Sequence, residues 1–196
     1  MAERMTSLET IQELRPRLES FPIEEPPEDA ELAAVLVPVL SAGPHLRVVF
    51  TKRSDALSRH AGEISFPGGL ADADENPAAT ALREAQEELG LPPSDVELLG
   101  ALPSVHTRVT GILIVPFVGL LRRDPAFTPN AHEIADVLEF SLSDLMAAAS
   151  EREFEHEGVM YLTQVFEMDG HVIWGATARI LSSFLELLRP PGGIDE

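Results

Sequence analysis

Between Arg83 and Gly90 the chain reads REAQEELG, which sets Glu84, Glu87 and Glu88 within five positions of one another. At about 100° per residue the three carboxylates share one helical face, roughly opposite an apolar stripe of Ala78, Leu82, Ala85 and Leu89. An acidic face of this kind is, in an arbitrary helix, most often simply solvated. Here Glu84 and Glu88 form a like-charged i, i+4 pair, which costs an isolated helix roughly 0.2–0.5 kcal/mol. A cation held between them removes that repulsion, and the last turns of a helix are where the macrodipole also favours positive charge. Oxygen-only ligands select hard ions, so the expected cofactor is Mg2+ or Mn2+ rather than Zn2+.

A helix over residues 77–89 is what positions these groups, because Asn76 is a good N-cap, Pro77 suits the first helical position and Gly90 supplies a stop. Upstream, ELAAVLVPVL and LRVVFTKR read as two strands joined by the turn signal Ser41-Ala42-Gly43-Pro44, and ISFPGG then brings the chain to a sharp loop. Downstream, VELLGAL and ILIVPFVGLL are strand-like, with Pro116 pointing to an edge or a bulge. IADVLEF predicts a strand and SLSDLMAAA a short helix capped by Ser141 or Ser143. Asp169-Gly170 is a hairpin signal between GVMYLTQVFEM and HVIWG, and ATARILSSFLELL has the period of a helix. Strands mixed with a few helices predict an α/β (α+β) fold. The expected organisation is an N-terminal helix and acidic, proline-rich linker over residues 1–30, one domain over 31–189 and a tail over 190–196. Leu8, Ile11, Leu14 and Leu18 give the first helix an apolar stripe, which is expected to pack on its own body or on a neighbouring subunit.

Composition narrows the function. A net charge of −19 argues against partners that need a positive surface, so neither nucleic acid nor an anionic membrane is expected. The longest apolar run, Leu32 to Leu40, is far shorter than the ~20 residues of a membrane-spanning helix. With no cysteine there is no disulfide, thiolate metal site or thiol nucleophile, and the chain is expected to be soluble and cytoplasmic. The six histidines never fall at the i, i+4 spacing of a helical zinc site. The expected partner is a small molecule, and an anionic one needs a cation to accompany it to this acidic chain.

Gly69, Glu75, Arg83-Glu84-Ala85, Glu87-Glu88 and Gly90-Leu91 together resemble the Nudix box, G-x5-E-x7-R-E-U-x-E-E-x-G-U, where U is a bulky apolar residue. Each fixed position matches, and Ala85 is smaller than the usual aliphatic residue. The resemblance implies the Nudix fold, a mixed β-sheet sandwiched between α-helices, and hydrolysis of a nucleoside diphosphate linked to another group. It also implies catalytic roles for Glu84, Glu87 and Glu88, with the same three and the Gly69 carbonyl as metal ligands, and with Arg83 orienting the glutamates. The general base is implied to be either a box glutamate or an acid from a later loop, where Glu133 is the leading candidate and Glu139 a weaker one.

Residues 48–69 carry a second resemblance, to the signature of the coenzyme A diphosphatase branch of the Nudix family, through Thr51, Arg53, Ser54, Gly62, Phe66, Pro67, Gly68 and Gly69. Ser58 departs from it where arginine is expected, with Arg59 adjacent. This branch cleaves coenzyme A to adenosine 3′,5′-bisphosphate and 4′-phosphopantetheine. The substrate-binding residues it implies are Arg53, Arg59, His60, Phe66, Gly68 and Gly69, with guanidinium groups suited to paired hydrogen bonds with phosphate. The competing readings are a Nudix hydrolase of ADP-ribose, NADH or a nucleoside triphosphate, and a non-catalytic Nudix-fold binding module.

Overall fold

Leu32–Leu40 is apolar at every position, and a strand of that composition must be covered on both faces. A computed structural model, which describes residues 8–24, 30–42, 45–56, 61–107, 111–156 and 159–189, makes it the central strand β1 of a mixed sheet. Along its whole length β1 runs parallel to β7 (Leu113–Leu121), from Leu32 opposite Leu113 to Leu40 opposite Leu121. Its other edge is shared. β2 (Arg47–Arg53) pairs antiparallel at Val39 and Leu40, while β4 (Gly68–Leu70) pairs at Ala33, Ala34 and Val35. β3 (Ile64–Ser65) and β8 (Ile134–Ser141) pair with β2, and β5 (Glu97–Ala101) and β6 (Val105–His106) pair with the far side of β7.

Helices cover both faces. α2 (Pro77–Leu89) lays Ala81, Ala85 and Leu89 on Ala34, Leu36, Val49, Val115 and Phe117. The opposite face packs Val37, Phe50 and Val118 with α1 (Leu8–Leu18), α3 (Leu142–Ala147) and α4 (Gly175–Leu188). Ile11, Leu14 and Leu18 of α1 are buried in that same cluster, so the helix packs on its own chain. The expected mixed sheet between helices is the observed architecture.

A three-stranded antiparallel sheet follows, with β10 (Val159–Met168) between β9 (Ala149–His156) and β11 (His171–Ile173). Asp169 and Gly170, at φ of 50° and 79°, form the expected hairpin turn. β9 was not expected from its sequence, ASEREFEH, and it leaves one edge of this sheet unpaired among the described residues. Pro116 corrects another expectation. It lies inside β7, opposite Val35, with strands on both sides. The proline is tolerated because the partners on the outer side break there, β6 ending its pairing at Ile114 and β5 beginning at Phe117, so the Pro116 carbonyl instead accepts the Leu102 N–H at 2.8 Å. Ser141, rather than Ser143, caps α3 by accepting the Asp144 N–H. No helix among the described residues is long and apolar enough to cross a membrane.

Candidate active site on the acidic helix

Local signals fix both ends of α2. The Asn76 side chain accepts the Ala78 N–H at 2.9 Å, and Gly90 takes the left-handed conformation at φ 66° with its N–H on the Gln86 carbonyl. Arg83 then ties the helix to the loop before it. Its Nε and Nη2 donate to the two carboxylate oxygens of Glu75 at 3.0 and 3.1 Å, and Nη2 also reaches the Leu70 carbonyl at 3.1 Å. Glu75 further accepts from Thr80 Oγ1 and from the Asp72 N–H, and these bonds, the Arg83 pair first, hold its carboxyl down at about 2. Glu75 is therefore a structural clamp that fixes the end of β4 relative to α2.

The glutamates differ sharply in surroundings. Glu87 is exposed, Glu84 half-buried and Glu88 only 4% exposed. The helix thus sinks Ala81, Ala85, Glu88 and Leu89 into the protein and leaves Ala78 and Leu82 half-buried. The acidic face is not the solvent-facing opposite of the apolar stripe, because the small residues Ala81 and Ala85 let α2 approach β1 closely on the side that carries Glu88. Burial foremost, then the charge of Glu84, pushes the Glu88 carboxyl up to about 8, against the opposing influence of the Gly68 N–H bonded to it and of Arg53. Burial also raises the Glu84 carboxyl, which Arg83 holds back. The charge of Glu133 acts on both Glu84 and Glu88, so the loop before β8 faces this same cluster.

Two buried polar atoms here lack a hydrogen-bond partner among the described residues, Glu88 Oε2 and Arg53 Nε. Arg53 reaches the site from the end of β2, where the pairing with β8 shifts register between Lys52 and Arg53. Gly68 and Gly69 lie against β1 with no room to spare. A Cβ on Gly68 would strike the backbone of Ala34 and Val35, and one on Gly69 would stand 2.5 Å from Glu84 Oε1. Phe66 is instead buried and stacked on Phe50 at 4.7 Å between ring centres, where it anchors the turn rather than facing a ligand. Arg59 and His60, with Ser58, lie outside the described residues. The fold therefore gathers Gly68, Gly69, Arg83, Glu84, Glu87, Glu88, Glu133 and Arg53.

As they stand, no three carboxylate or imidazole groups among the described residues converge on one point. Arg83 Nη1 donates to Glu84 Oε1 at 2.7 Å and to Glu87 Oε2 at 3.3 Å, and so draws both carboxylates toward itself. The residues nonetheless fit a hard divalent cation, since a buried carboxylate oxygen without a partner, a neighbouring carboxylate and a glycine backbone are the oxygen donors such an ion takes. Gly69→Ala tests that fit. The obstructed atoms are the end of a flexible side chain, so folding stability falls by only about 1 kcal/mol. The displaced Glu84 carboxylate is expected to weaken Mn2+ binding about tenfold or more, read by electron paramagnetic resonance titration beside thermal melts. Unchanged affinity would remove Gly69 and Glu84 from the ion's surroundings.

One residue that bridges the loop and the acidic helix had only a faint signature in the sequence. Asn130 stands three residues before Glu133, the N-x-x-E spacing of a capping box, but outside any helix. Its side-chain amide donates to Glu133 Oε1 at 3.0 Å, and its backbone N–H donates to the Glu88 carbonyl at 2.9 Å.

A mixed sheet between helices, with a loop, helix and loop presenting glutamates beside two glycines, defines the class, and residues 30–161 match the NUDIX domain: the chain belongs to the Nudix family. Its sequence is 36% identical over 168 residues to the uncharacterized Nudix hydrolase NudL of Pectobacterium atrosepticum, across 84% of this chain and 86% of that one. The protein of the same name from Photorhabdus laumondii is 35% identical, across 82% of this chain and 90% of its own. Among solved structures, a MutT/nudix family protein from Enterococcus faecalis superposes with a TM-score of 0.56 at 18% identity, over 95% of this chain and 71% of that one. A C. elegans Ap4A hydrolase superposes with a TM-score of 0.51 at 16% identity, over 59% of this chain and 83% of that one. Enzymes of this family hydrolyse phosphoric anhydrides of nucleoside diphosphate derivatives and generally use divalent metal ions.

Proposed function

We propose that this protein hydrolyses the diphosphate of coenzyme A, releasing adenosine 3′,5′-bisphosphate and 4′-phosphopantetheine, with Mg2+ or Mn2+ held by Glu84, Glu87, Glu88 and the Gly69 carbonyl. The observation that carries the reading is the pair of unsatisfied buried atoms of opposite character. Glu88 Oε2 needs a cation and Arg53 Nε needs an anionic oxygen, and the charge of Arg53 is felt at Glu88. A metal-bound diphosphate supplies both. When bound there, such an ion would polarise phosphoryl oxygens and stabilise the departing phosphate.

The chain's own groups do the rest. Arg53 holds a phosphate oxygen, and Gly68 and Gly69, where a Cβ would strike β1 and the Glu84 carboxylate, keep the loop close against the acidic helix. Glu133 accepts the proton of the water whose oxygen bonds to phosphorus as the P–O–P bridge breaks, and that proton leaves with the departing phosphate. Coenzyme A is favoured over other nucleoside diphosphates because Thr51, Arg53, Ser54 and Gly62 match the signature of that branch and Lys52 adds a second cation beside Arg53. Assays of coenzyme A, ADP-ribose and NADH side by side with Mg2+ and Mn2+ are expected to give the highest kcat/KM on coenzyme A. A preference for a compound without the 3′-phosphate rejects the narrower substrate and leaves the hydrolase.

A further inference from the structure

The loop before β8 closes the end of α2 from outside. Helices leave their last carbonyls without partners, and here the Thr128 N–H donates to the Leu89 carbonyl at 2.8 Å and the Asn130 N–H to the Glu88 carbonyl at 2.9 Å. From that fixed point Asn130 uses each of its remaining polar groups on the turn that follows. Its carbonyl accepts the N–H groups of Glu133 and Ile134 at 2.9 and 2.8 Å, and its Oδ1 accepts the His132 N–H at 3.2 Å. A backbone N–H can only donate, so the contact with His132 settles which end of the amide is oxygen. The NH2 group therefore faces Glu133 and donates to Oε1 at 3.0 Å. Across the turn the Glu133 carbonyl accepts the Ser54 N–H at 2.8 Å, next to Arg53.

We propose that Asn130 is a positioning residue for catalysis: it locks the Glu133 carboxylate to the last turn of the metal helix, so that base and glutamate cluster move as one frame. The inference rests on the reading of Glu133 as proton acceptor. A base must stand within hydrogen-bond reach of the proton it takes, and displacement by about 1 Å can cost as much as 100-fold in rate. Glu133 is exposed and would otherwise sample many rotamers, and the Asn130 amide is the one hydrogen-bond partner its side chain has among the described residues.

The test places Asn130→Ala and Asn130→Asp in the wild-type chain and in Glu133→Gln. In the wild-type chain each substitution is expected to lower kcat by about tenfold or more, with KM and the Mn2+ dissociation constant from paramagnetic resonance within about threefold. In the Glu133→Gln chain neither lowers kcat further, since residues that act as a unit are not additive. Asn130→Asp keeps the backbone bonds and the acceptor for His132, and replaces the donor with a negatively charged oxygen that faces Glu133. It is expected to melt within a few degrees of wild type, yet to lose at least as much kcat as Asn130→Ala. A crystal structure of Asn130→Ala, which needs no substrate, is expected to show the Glu133 carboxylate displaced while Glu84 and Glu88 keep their places. Equal losses in both backgrounds, or a kcat within about twofold of wild type, overturn the inference. A Glu133 carboxylate that stays in place without Asn130 overturns it too, even if the wild-type protein hydrolyses no diphosphate, a result which on its own defeats the functional reading instead.

Discussion

Glu88→Gln is expected to abolish metal-dependent turnover and, in the absence of metal, to make the protein more stable. The two effects have one cause. Charge stabilisation by a bound ion amounts to several kcal/mol in the transition state, so loss of the most buried of the proposed ligands is expected to lower kcat by about 1000-fold or more. Without the ion, the ionised carboxylate is a buried charge with one oxygen unpartnered. Its carboxyl ionises at about 8 in the native state against an ordinary value of 4.5. Between those values the folded chain keeps a proton that the unfolded chain releases, so stability falls as pH rises through that window and levels off above it. At pH 7 the cost is roughly 3 kcal/mol. The neutral glutamine avoids it, and the metal-free variant is expected to melt about 5 °C or more above wild type at pH 8 and level with it at pH 4.5. Saturating Mn2+ reverses the order at pH 8. A variant equal to wild type in both melts and turnover contradicts the assignment of Glu88 to the ion.

Glu133→Gln separates proton transfer from metal binding. Loss of a general base lowers rates by about 100- to 10,000-fold, while the site keeps Glu84, Glu87, Glu88 and the Gly69 backbone. The expected outcome is a kcat reduced to that extent, with KM and the Mn2+ dissociation constant each changed by less than about threefold. A kcat within about tenfold of wild type returns the base to a glutamate of α2.

What the sequence disclosed follows the range over which each signal acts. Both ends of α2 were legible because the cap at Asn76, the proline at the first helical position and the left-handed Gly90 are local chemistry. The spacing of Glu84, Glu87 and Glu88 was equally plain, yet their division into one buried, one half-buried and one exposed side chain was not. That division depends on how α2 rolls against β1, and Ala81 and Ala85 set the roll by their small size in contact with residues distant in the chain. β9 was hidden for the opposite reason, since a strand reading ASEREFEH, mostly charged and with one large apolar residue, lacks the apolar pattern that announces strands. Pro116 misled because its tolerance inside β7 depends on where two other strands happen to break. Asn130 is a polar loop residue whose meaning lies in the far end of a helix much earlier in the chain, and no local pattern could reveal that contact.

The outer edge of β9, unpaired among the described residues, bears on how concentrated this protein can become. An open strand invites another chain to add to it, and what deters that addition here is the run of Glu151, Arg152 and Glu153 in a molecule carrying nineteen surplus negative charges. Near the isoelectric point of about 4.5 the net charge that keeps molecules apart vanishes, so precipitation through the hairpin margin should set in there.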